Sequence, residues 1–122
     1  MARWIPLPTH RSKGGNLTVV DQGAFGFDVR RVFWIYASGD TRRGEHRHKS
    51  TVQAAVCVAG ACVIDTDDGH ATAAWALDAP DKCLLLEPRD WHAMHSFTAD
   101  AVLMVFASAP FDADDYVFEP YR

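Results

Sequence analysis

The chain has 122 residues, 48% of them hydrophobic and 23% charged, with a net charge of −4. That length suits one domain, 1–122, able to bury its own core, and the composition excludes a disordered chain, which needs low hydrophobicity and high net charge. The acidic balance argues against nucleic acid held on a broad basic surface.

The first eight residues (MARWIPLP) carry no apolar h-region or cleavage signal, so no secretion is expected. Residues 17–20 (LTVV) follow the turn signal Gly14-Gly15-Asn16 and read as a short strand. Residues 29–36 (VRRVFWIY) are aromatic and β-branched and end at Ser38-Gly39-Asp40. Residues 52–58, the turn Ala59-Gly60 and residues 61–65 read as a hairpin. A second hairpin signal, Asp67-Asp68-Gly69, leads into 71–77. The run is alanine-rich, but the turns that bracket it make it a strand rather than a helical turn. Residues 83–86 (CLLL) precede Pro88, and 101–107 (AVLMVFA) form an apolar strand. Residues 111–122 are polar and aromatic and are expected to wrap the surface.

Many short strands with turns every eight to twelve residues or so indicate an all-β sandwich or barrel. The longest apolar runs, such as 52–59, fall well short of the ~20 residues that span a bilayer, so no membrane segment is expected. The three cysteines, Cys57, Cys62 and Cys83, form no CxxC pair, which favours reduced thiols and a cytoplasmic setting.

The strongest chemical signal is RRGEHRHK, residues 42–49. Alternate residues of a strand share a face, so His46 and His48 project together, about 7 Å apart along the strand. Two such imidazoles can hold a metal or run acid–base chemistry near neutral pH. Otherwise the segment is a solvated basic turn. A second cluster, RDWHAMH, places His92 and His95 three apart, on opposite faces of a strand. One of them can join His46 and His48. Trp91 and Met94 serve there as core packing or ligand contacts.

These features resemble the cupin superfamily, whose motifs combine HxH with a later glutamate and glycine, then a proline followed by histidine. Here the pieces are His46, His48, Gly60, Pro88 and His92, with Val52 and Gln53 at the glutamate positions. A closer resemblance runs from about residue 15 to 117. The pieces RVFWIY, RGEHRHK, Gln53, Pro88, WHAM and DYV, in that order, are similar to the dTDP-4-keto-6-deoxyglucose 3,4-ketoisomerases.

That resemblance implies a cupin-type antiparallel jelly roll, a homodimer, and no cofactor or metal. It implies an isomerase that moves a sugar ketone from C4 to C3 with His46 and His48 as the catalytic pair. Arg31, Arg42, Arg43 and Lys49 are then candidates for the diphosphate, because a guanidinium fork matches phosphate. Trp34, Tyr36 and Trp91 are candidate walls for the base or hexose, and Gln53, His92 and Met94 complete the substrate-binding set. The departures are Gly14, Trp34, Arg47 and Val52, where relatives usually carry arginine, tyrosine, alanine and glutamate. Gly14, Trp34 and Val52 keep open a catalytically silent cupin that binds a nucleotide sugar; a third reading is a metal-dependent cupin oxygenase, weakened by the loss of the carboxylate at Val52 and Gln53.

Overall fold

The computed structural model describes all residues, 1–122. Twelve strands form: β1 (Arg3–Pro6), β2 (Thr9–Ser12), β3 (Gly15–Thr18), β4 (Arg31–Tyr36), β5 (Arg43–His48), β6 (Gln53–Ala59), β7 (Cys62–Asp67), β8 (Thr72–Leu77), β9 (Lys82–Leu86), β10 (Trp91–His95), β11 (Val102–Ala107) and β12 (Tyr116–Val117). The one helical piece is a 3₁₀ turn, Ala113–Asp115. All strand pairs are antiparallel. One sheet has the order β1-β9-β6-β11-β4, the other β12-β5-β10-β7-β8, and β2 and β3 make a separate hairpin. This is the all-β architecture that the strand pattern predicts, in the jelly-roll form that the resemblance implies.

The alanine-rich β8 pairs with β7 across the Asp67–Gly69 turn, as its bracketing turns require. The turn is fixed locally: Asp67 Oδ1 accepts from Gly69 N at 2.9 Å, and Asp68 Oδ1 accepts from His70 N and Ala71 N at 2.9 and 2.8 Å. The predicted hairpin over 52–65 does not form. β6 lies in the first sheet and β7 in the second, so Ala59-Gly60 carries the chain from one sheet to the other. Gly60 sits at φ +63°, and a Cβ there would come within 2.8 Å of Ala101 Cα, so the tight crossing admits only glycine.

The main core lies between the sheets. Ala55, Cys57, Leu84, Leu86, Leu103 and Val105 of the first sheet meet Cys62, Ile64, Leu77 and Met94 of the second. A second cluster covers part of the first sheet's outer face, where Leu7, Phe25, Ala54, Val56, Cys83 and Leu85 pack with Ile5 and Phe106. Ile5 and Leu7 thus pack within this chain. The three cysteines are free and buried. No helix is long and apolar enough to cross a membrane.

Candidate active site

The site occupies the inner wall of the second sheet. β10 pairs with β5 so that His92 opposes His46, Ala93 opposes Gly44 and Met94 opposes Arg43, with a register shift between the first two pairs. The shift is a bulge at Gly44-Glu45, where φ is +81° and +59°. Strict alternation from His46 would send Arg43 outward. The extra residue reverses the phase, so Arg43 shares the inner face with His46 and Met94. Gly44 is required twice over. Its φ is left-handed, and a Cβ would stand 3.1 Å from the His92 carbonyl.

His46, His48 and His92 converge there. Their rings are 5.0 Å apart (His46–His48), 4.9 Å (His46–His92) and 6.2 Å (His48–His92), centroid to centroid. His48 Nδ1 lies 2.9 Å from Asp115 Oδ2. A carboxylate only accepts, so Nδ1 carries the proton and Nε2 keeps its lone pair. His92 Nδ1 lies 3.0 Å from the Asp90 carbonyl, which fixes the same tautomer. The two Nε2 atoms are buried without a protein partner.

Burial is the largest influence on all three rings. It holds His46 below the ordinary histidine range, against a hydrogen bond to the Gly44 backbone. It lowers His48 as well, although Asp115 opposes the shift. Fully buried His92 is pushed down to about 3. All three are therefore neutral bases at pH 7. Burial pushes Asp115 up, but hydrogen bonds from Thr51 Oγ1, Ser50 N, His48 and Ser50 Oγ outweigh it, and the carboxyl lies below its usual range.

The rings of His46 and His92 border a cavity of about 280 Å³ that Arg31, Arg43, Gln53, Met94 and Tyr116 also line. His48 faces an adjoining recess shared with Arg31, Gln53, Asp115 and Tyr116. Tyr116 lies against both histidines, 4.6 Å from the His46 ring and 4.8 Å from that of His48.

A family model described as FdtA: WxcM-like, C-terminal matches residues 1–122. The chain belongs to that family. It is 36% identical over 107 residues to the TDP-4-oxo-6-deoxy-alpha-D-glucose-3,4-oxoisomerase of Aneurinibacillus thermoaerophilus, covering 87% of this chain and 77% of the relative. The sugar 3,4-ketoisomerase QdtA from Thermoanaerobacterium thermosaccharolyticum, solved with TDP, superposes with a TM-score of 0.92 at 30% identity, over 97% of this chain and 88% of that one. A histidine-to-asparagine variant of QdtA, solved with TDP-4-keto-6-deoxyglucose, gives 0.92 at 29% identity over 97% and 87%. The fold is thus the cupin jelly roll of the 3,4-ketoisomerases, and this FdtA-family chain is an enzyme of that class.

The predicted residues of this family member divide by strand face. Arg31, Arg43, His46, Gln53, His92 and Met94 meet at the cavity, with His48 beside them. Trp34 borders it, but alternates with Phe33 and Ile35, which pack against the core, and is 56% exposed on the other side. Tyr36 follows it outward at 65% exposed. Arg42 pairs with Glu45 at 3.0 Å and Asp65 at 3.4 Å on the outer face, and Lys49 is exposed. Trp91 also faces outward and donates its indole N–H to the Phe118 carbonyl at 3.2 Å. His95 points away and meets Asp65 at 2.8 Å. A larger groove of about 640 Å³ lies on that outer face, where Arg42 and Arg122 already pair with its carboxylates Asp65 and Asp67. It is separate from the histidines.

Sequence reasoning gave Asp115 and Tyr116 no place in the site, although DYV is among the pieces that carry the resemblance. Both lie in a stretch, DADDY, that looks like a solvated acidic run. The three imidazoles also meet the needs of a metal ion, with one donor atom each inside 4.8 Å of the others. Three histidines can hold zinc, which would polarise a bound carbonyl. Such an ion would occupy the same lone pairs that proton transfer needs.

Proposed function

We propose that the protein moves the ketone of a TDP-4-keto-6-deoxyhexose from C4 to C3. The observation that carries this reading is His48: a neutral imidazole with Nδ1 held by Asp115, a free buried Nε2, and a second neutral imidazole, His46, beside it. The names of the relatives support the substrate class.

The reaction needs four proton transfers and no external electrons. A base takes the proton from C3 while O4 gains one, which gives an enediol. O3–H then loses its proton as C4 gains one, which leaves the ketone at C3. In this reading His48 Nε2 handles the carbon-bound proton, because Asp115 stabilises the imidazolium that forms. His46 serves the oxygens. His92, its Nδ1–H engaged, accepts a hydrogen bond from a sugar hydroxyl at Nε2. Arg31 and Arg43 supply the charge for the diphosphate, and Gln53 and Met94 line the sugar's side of the cavity.

The cavity suits a hexose, since its volume sits near the lower bound of small-molecule pockets. The thymidine then lies outside it. Following purified protein and TDP-4-keto-6-deoxyglucose by proton NMR tests this reading: a 3-keto product supports it, and TDP binding without turnover favours the silent binding protein instead.

The protein is further proposed to act as a homodimer in the cytoplasm. Val32, Trp34, Tyr36 and Val58 leave an apolar strip exposed on the first sheet's outer face, which suits a second copy. Three buried free thiols fit a reducing compartment.

A further inference from the structure

The residues after β12 form a strap that crosses from the catalytic wall to the β7–β8 hairpin. Its start is tied to the site. Tyr116 pairs with His48 and Val117 with Arg47 in the β5 ladder. The Phe118 ring stands 6.1 Å from His46 and 6.0 Å from Tyr116. A two-residue strand holds such a segment weakly, and burial adds little, since Phe118 is 66% exposed and Tyr121 41%.

Polar contacts on the far side do the fastening. The Phe118 carbonyl accepts from Trp91, and the Tyr121 hydroxyl donates to the Arg89 carbonyl at 2.8 Å. Arg122 closes the strap with two hydrogen bonds to Asp67, at 2.8 and 2.9 Å. Asp67 is the cross-strand partner of Trp91, whose neighbour His92 faces the cavity. The fastening point and the catalytic wall are thus opposite faces of the same two strands.

We propose that Arg122 is a positioning residue: its two-pronged clasp on Asp67 holds the strap so that Tyr116 and Phe118 wall in His46. This rests on the isomerase reading for its kinetic consequence, but not for its structural one. An open strap admits water to His46.

The test is Arg122→Gln, with Arg122→Lys keeping the charge but losing the planar fork. Hydrogen exchange of the Trp91 indole N–H, which the Phe118 carbonyl holds, should speed up in the free protein in Arg122→Gln, and less in Arg122→Lys. Turnover should fall about two- to fivefold, the scale of an exposed ion pair, with TDP affinity and thermal midpoint little changed. Unchanged exchange at Trp91 overturns the inference even if the enzyme is active. Faster exchange at Trp91 in a protein that never turns over substrate upholds the inference and removes the isomerase reading.

Discussion

Asp115 and His48, 67 residues apart in sequence, meet at 2.9 Å, and this contact alone decides which nitrogen of His48 faces the cavity. The carboxylate is itself held by Ser50 and Thr51, so it cannot turn away from the ring.

Replacing Asp115 with asparagine should lower turnover by about 10²-fold, the lower end of general-base losses. Burial holds His46 and His48 below the ordinary histidine value, so the wild-type rate should stay flat through neutral pH and fall only as acid protonates them below about 6.5. Asp115 raises the His48 value, so its loss should move that acid limb to lower pH. A pH–rate profile shifted upward in Asp115→Asn would contradict the dyad.

The bulge makes a separate prediction. Gly44→Ala forces a side chain into left-handed backbone and against the His92 carbonyl. A loss of about 1–3 kcal/mol in denaturant unfolding is expected, together with weaker turnover, because Arg43 and His92 both shift. An unchanged midpoint would show that the backbone there relaxes freely.

Much of this molecule was legible in its sequence. The HxH spacing on one strand puts His46 and His48 on one face, and the three-residue spacing separates His92 from His95. The Asp67–Gly69 turn forms the β7–β8 hairpin because Asp67 and Asp68 cap it locally. The misread hairpin at Ala59-Gly60 shows the limit: a turn signal reports a change of direction, but which sheet receives the next strand depends on distant pairing. The Arg43 position was hidden for a related reason, since one extra residue in β5 reverses which side chains face in. The DYV piece marked Asp115 as part of the resemblance but not its role, because an aspartate in an acidic run looks solvated until the fold carries it under His48.

The three-imidazole cluster predicts how metal ions act. A chelator should leave turnover unchanged, and micromolar zinc should inhibit by occupying the lone pairs of His46, His48 and His92. Activity lost to chelation and restored by zinc, iron or manganese would make the cluster a ligand shell and the proton-transfer account wrong.

The exposed strip on the first sheet predicts self-association. Sedimentation at micromolar concentration should show a dimer, and Trp34→Asp should shift it toward monomer, since a carboxylate would be desolvated in the contact. A wild-type monomer at that concentration would remove the proposal.

The most direct test of the central claim is carbon-bound proton exchange in heavy water. Wild-type protein with TDP-4-keto-6-deoxyglucose should place deuterium on C4 of the 3-keto product. His48→Asn, which keeps polarity and approximate size but removes the base, should lower that rate by about 10² or more while TDP affinity holds. Near-normal exchange in His48→Asn, or wild-type protein that binds TDP without ever exchanging the C3 proton, would contradict the account.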